Sequence, residues 1–106
     1  MPYRYKNPAE RLLDTLERVY FDEADLDLPE EPGLYFVTTA QNIILYIGRS
    51  ENMKRRWRNG HHQALACLRH GAQFIYYMPT TDLSLEGHYI YEFNPAINGR
   101  SECSPE

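Results

Sequence analysis

Gly33-Leu34-Tyr35-Phe36-Val37, then Thr38-Thr39-Ala40-Gln41-Asn42, then Ile43-Ile44-Leu45-Tyr46-Ile47-Gly48 and the basic run that ends at Arg58 form the stretch on which the fold of this 106-residue chain turns. The two apolar segments are β-branched and aromatic, as half-buried strands prefer. The short polar segment 38–42 between them suits a hairpin. Beyond Gly48, residues 51–70 read as a helix, with Met53, Trp57, Leu65 and Leu68 along one side and Lys54, Arg55, Arg58 and Arg69 along another. Gly60 interrupts it, and a glycine inside a helix costs about 1 kcal/mol relative to alanine, so the helix is kinked, bulged or in two pieces there.

Residues on either side extend this unit. Asn7, Pro8 and Glu10 have the order of a helix start, an amide cap followed by a proline and an acid. Leu12, Leu13, Leu16, Val19 and Tyr20 then recur at one-face spacing, which predicts one amphipathic helix packed on the sheet. Residues 22–31 hold six acids and read as a solvated linker ending at Pro32. On the other side, residues 73–78 are rich in aromatics and read as a third strand closed by Pro79. Thr80, Thr81 or Asp82 can cap a last helix that ends before Pro95. The expected architecture is α/β: a small three-stranded antiparallel sheet flanked by helices, in the order α-β-β-α-β-α. Residues 1–31 form an N-terminal helix and acidic linker, 32–98 the central domain and 99–106 a loose tail.

A chain of this length supports one modest core. No apolar run approaches the roughly 18–20 residues of a membrane helix, and the polar, aromatic N-terminus is unlike a signal peptide, so the expected location is the cytoplasm and no membrane partner is implied. Cys67 and Cys103 have neither disulfide-framework nor metal-knuckle spacing, and Cys67 with His70 makes a single ligand pair only. The net charge is −4, but it is unevenly distributed: residues 49–70 carry six bases against Glu51, a local +5, while the remainder carries −9. An acidic protein can thus present one cationic face to a phosphate backbone.

Glu86 stands out in the last helix because Leu83, Ile90 and Phe93 share its face. A carboxylate on an apolar stripe is costly unless an arginine pairs with it or it binds a cation. Taken singly, Tyr35 and Tyr46 can be core, Arg56 solvated, and His61 an interior histidine on the Met53, Trp57, Leu65 face.

Together, Gly33-Leu34-Tyr35, Tyr46-Ile47-Gly48, Arg56, Glu86 and the segment Asn94-Pro95-Ala96-Ile97-Asn98 resemble the GIY-YIG endonuclease family. The resemblance covers residues 32–98 and is similar both to the N-terminal nuclease domain of the bacterial excision-repair nuclease and to small stand-alone members. It implies a metal-dependent DNA endonuclease that hydrolyses phosphodiester bonds with one divalent cation, Mg²⁺ or Mn²⁺, held by Glu86. It implies that Arg56 neutralises a phosphate oxygen, that Tyr35 or Tyr46 accepts the proton of the attacking water, and that His61 assists. Arg49, Lys54, Arg55, Arg58 and Asn98 would bind substrate. Leucine replaces the first isoleucine and Arg49 stands where lysine is frequent. Gly60 occupies the position where many relatives carry an assisting histidine or tyrosine; a one-residue bulge there would bring His61, or less directly His62, to the site. Without a helix-turn-helix or zinc finger, nicking or structure-selective cleavage is expected, with a homodimer or a targeting partner supplying any strong sequence choice. The alternative is a catalytically inactive DNA-binding module of the same fold.

Overall fold

The computed structural model describes residues 6–58 and 60–98, those at 25 and 26 by backbone alone. Helix α1, Pro8–Leu13, begins with a reciprocal cap: Asn7 Oδ1 accepts from the Glu10 amide at 2.8 Å, and Glu10 Oε1 accepts from the Asn7 amide at 3.1 Å. The helix stops far short of the sequence expectation. Residues 17–20 form strand β1, Glu17–Tyr20, paired antiparallel with β4, Ala72–Pro79. The expected three-stranded sheet therefore has four strands, in the order β1-β4-β2-β3, with β2 at Gly33–Thr39 and β3 at Ile44–Ser50.

Every pairing is antiparallel. Strand β2 lies between β4 and β3, and its residues Leu34, Tyr35, Phe36 and Val37 are all at 0% exposure. Alternation sends Leu34 and Phe36, with Ile47 and Tyr76, into a core with Leu13 and the helix α5, Leu85–Phe93. On the opposite face Tyr35 and Val37, with Tyr46 and Ile75, pack against Met53, Trp57 and Cys67. Gly33 is dictated by space: a Cβ there would lie 2.5 Å from the Met78 carbonyl oxygen and 2.8 Å from Met53 Cε. The β2–β3 hairpin turns at Asn42, φ +64°, with Thr39 Oγ1 accepting from the Gln41 and Ile43 amides.

The acidic stretch is not a solvated linker. A 3₁₀ turn, Phe21–Glu23, leads into the short helix α2, Ala24–Asp27, and Ala24 and Leu28 are buried in the core. The Pro29 and Glu31 carbonyls accept from the Lys54 and Met53 amides, closing the N-terminus of α3, Met53–Arg58. The long basic helix is in two pieces, α3 and α4, the latter Ala64–Arg69. Gly60, at φ +85°, changes the phase, so Leu65 and Leu68 do not continue the Met53, Trp57 face and are 58% and 59% exposed. Helix α5 ends at Asn94, φ +46°, before the buried Pro95. The tail expected at 99–106 lies outside the described residues.

Candidate active site

Tyr35 of β2 is opposite Gly48 of β3. A Cβ on residue 48 would sit 2.5 Å from Tyr35 Cε1 and Cζ and 2.6 Å from its hydroxyl, so a glycine there is what lets the phenol ring cross β3. Tyr46 comes from the same face of the hairpin, its ring centroid 6.4 Å from that of Tyr35. Both phenols thus project from neighbouring rigid strands into one place.

The break at Gly60 delivers a third ring. His61 is 5% exposed, stacks on Trp57 with centroids 4.3 Å apart, and meets Tyr35 and Tyr46 edge-on at 5.4 Å each. Its Nε2 lies 2.6 Å from the Tyr35 hydroxyl, while Nδ1 accepts the Gln63 backbone N–H at 3.0 Å. Burial, reinforced by His62 and Arg56, pushes the imidazole pKa down to about 3, so the ring is neutral near pH 7. A neutral ring whose Nδ1 accepts must carry its proton on Nε2, and His61 therefore donates to Tyr35. Burial, then the neighbouring Tyr46, raise the Tyr35 pKa above its ordinary value, and Arg56 opposes them through its charge and a side-chain hydrogen bond.

The carboxylate arrives from α5. Glu86 is 24% exposed at its side chain, and its Oε1 lies 3.5 Å from Arg49 Nε. Burial raises its pKa, while Arg49 and then Arg56 pull it back. The residues enclose a cleft of about 1200 Å³, lined by Tyr35, Tyr46, Arg49, Arg55, Arg56, His61, Glu86 and Asn98 among the residues expected from sequence. Lys54 and Arg58, expected beside them, are not part of the lining.

Asn98 has both polar ends engaged on the free edge of β3: Oδ1 accepts from the Ile47 amide at 2.6 Å, and Nδ2 donates to the Ile47 carbonyl at 3.0 Å. With Ile97 N–H donating to the Leu45 carbonyl at 3.0 Å, the chain after α5 holds the strand that carries Tyr46. This bidentate grip is a positioning arrangement.

Sequence reasoning missed Gln63, whose backbone N–H sets the His61 tautomer, because a main-chain donor leaves no residue-type signal. It also missed Leu83 and Ile90 as cleft walls, although their spacing around Glu86 was visible.

As a cation site the donor set is lean. Among the described residues no group of three or more His, Cys, Asp or Glu converges. One half-buried carboxylate facing a cleft roomy enough for retained water fits a hard, hydrated ion such as Mg²⁺, and does not fit a zinc-type cage.

No family model matches the chain. Over 81 residues it is 31% identical to the UvrABC system protein C of Actinobacillus pleuropneumoniae, a match that takes in 68% of this chain and 13% of that protein. Over 79 residues it is 32% identical to the same-named protein of Moorella thermoacetica, covering 67% of this chain and 13% of the relative. The crystal structure of the GIY-YIG N-terminal endonuclease domain of UvrC from Thermotoga maritima, bound to its catalytic magnesium, aligns with a TM-score of 0.61 at 21% identity, over 74% of this chain and 94% of that one. A point-mutant form of the same domain aligns at 0.62, also at 21% identity, over 74% and 93% of the two chains.

The architecture is that of a GIY-YIG nuclease domain, an antiparallel sheet flanked by helices. The chain shares the fold of the GIY-YIG N-terminal endonuclease domain of UvrC and is similar in sequence to UvrC proteins, and it spans 13% of the length of the curated UvrC relatives it matches.

Proposed function

We propose that the chain is a metal-dependent DNA endonuclease that hydrolyses phosphodiester bonds, nicking DNA or selecting it by structure. The observation that carries this reading is the convergence of two phenols, Arg56, a neutral histidine and a half-buried carboxylate in one cleft. Glu86 would hold Mg²⁺ or Mn²⁺, and such an ion supplies Lewis-acid stabilisation of charge on the departing oxygen. Arg56, exposed and beside Tyr35, neutralises a non-bridging phosphate oxygen.

A phenol oxygen accepts the proton of the attacking water. Tyr46 retains 8% exposure against 0% for Tyr35, which favours Tyr46 as the acceptor. Tyr35 then takes the positioning role, its hydroxyl held by the Nε2–H of His61. A phenol is a weak base at neutral pH, so Arg49 and Arg56 serve also to ease loss of its proton. Asn98 keeps β3, and with it Tyr46, in register. Target choice falls to DNA structure, to a second copy or to a targeting partner, and the working compartment is the cytoplasm. No described helix is long and apolar enough to cross a membrane.

Plasmid nicking tests this reading. Supercoiled DNA is converted to open circles with Mg²⁺ or Mn²⁺, and Glu86→Ala, Arg56→Ala or EDTA each abolish the conversion. Cleavage that persists in any of the three would overturn the mechanism. The second reading, a DNA-binding module without turnover, draws on the Arg49–Glu86 ion pair, which occupies the carboxylate internally. Salt-sensitive binding with no cleavage under either metal would select it.

A further inference from the structure

The three rings Trp57, His61 and His62 form a continuous stack. The first pair has centroids 4.3 Å apart at 19°, and the second 4.8 Å apart at 14°. Its inner end is fixed: Trp57 is 7% exposed and is braced edge-on by Phe21 at 5.7 Å and Tyr35 at 5.5 Å. Its outer end is open. His62 is exposed and lines the cleft, and His61 covers one face of its imidazole. Among the described residues no other ring contact to His62 is present, and the exposed residue opens on the cleft.

We propose that the free face of His62 is a stacking subsite for an unpaired nucleobase, with the adjoining phosphates on Arg55 and Arg56, which line the same cleft. The proposal rests on the reading of the cleft as a DNA site and deepens it by naming the feature selected: a base already out of the duplex. A planar ring pre-stacked on two others is rigid and presents an aromatic face at little conformational cost, and every base has a π-face to lay on it. A paired base has both faces covered by its neighbours and must first be unstacked, so single strands, flaps and gaps should be preferred over intact duplex.

The test uses the full chain in EDTA, with oligonucleotides carrying 2-aminopurine in a single strand, in a one-nucleotide gap and in intact duplex. Expected are a fluorescence change on binding the first two, little change for duplex, and a roughly 5- to 100-fold weaker single-strand affinity in His62→Ala. His62→Phe restores both affinity and fluorescence change, and His62→Lys does not. Restoration by lysine but not phenylalanine overturns stacking in favour of a charge contact to phosphate. Wild-type affinity and fluorescence change in His62→Ala, at unchanged melting temperature, overturns the subsite altogether. Because no cleavage is measured, failure of plasmid nicking leaves this result readable by itself, whereas absence of all DNA binding overturns both.

Discussion

At the scale of single residues the site depends on two contacts that sequence alone does not display. Replacing Gly48 by alanine puts a methyl group 2.5 Å from the Tyr35 ring, which must swing away from His61. We expect about 1–3 kcal/mol of lost stability from this overpacking, together with loss of nicking. Urea denaturation and a nicking assay on one preparation check it, and a fully stable, active Gly48→Ala protein would contradict the geometry. His61 makes a separate prediction through pH. Its folded pKa is lowered to about 3 from 6.5, so between those values the unfolded chain binds the extra proton and stability falls as pH falls. The slope from this residue is at most about 1.4 kcal/mol per pH unit. Urea midpoints at pH 7 and pH 5 should therefore separate in the wild type and draw together in His61→Gln. Parallel behaviour of the two proteins would show that His61 is not held neutral by folding.

At the scale of elements the decisive feature is the break between α3 and α4. Gly60 at φ +85° touches nothing where a side chain would stand, so substitution there acts through the backbone alone. Alanine should cost about 1–2 kcal/mol, asparagine less and valine more, a ranking read from chemical denaturation. If alanine is neutral, the left-handed turn that turns His61 inward is not required. This break also explains what was legible from sequence. The hairpin, β4 and α5 were readable because short β-rich runs bounded by polar turns, and a helical run ended by proline, are local signals; the start of α5 was not, since its N-cap is Ser84, without a side-chain cap hydrogen bond, and not Thr80, Thr81 or Asp82. Leu65 and Leu68 were misplaced because one residue in the left-handed region resets the helical phase. Residues 17–20 were misassigned because their spacing fits a helix, yet Val19 and Tyr20 are strand formers and the free edge of β4 offers backbone partners no local pattern reveals. Ala24 and Leu28 were hidden inside an acidic run in which Asp22, Glu23, Asp27, Glu30 and Glu31 are exposed. For the site, residue types and their order along the chain were visible, whereas the His61 tautomer and the Asn98 grip on Ile47 depend on backbone groups.

At the scale of the whole molecule, charge separation sets how DNA is approached. The net −4 arises from a +5 segment over residues 49–70 and −9 elsewhere, so most of the surface repels a phosphate backbone while the cleft attracts it. Of the bases in that segment, Arg49, Arg55 and Arg56 line the cleft and Lys54 and Arg58 do not. Each phosphate neutralised in the complex releases counterions and adds about −0.9 to the slope of log affinity against log salt for duplex DNA, or about −0.7 for single strands. With Arg49 engaged by Glu86 in the free protein, two to three contacts are expected, giving a slope of about −1.4 to −2.7. Arg55→Gln should flatten that slope by close to one contact, and Lys54→Gln should leave it where it was. Fluorescence anisotropy across a salt series measures both variants beside the wild type. Equal flattening by Lys54→Gln would mean that the phosphate path runs along the outer face of α3, and the cleft would lose its claim to be where the strand lies.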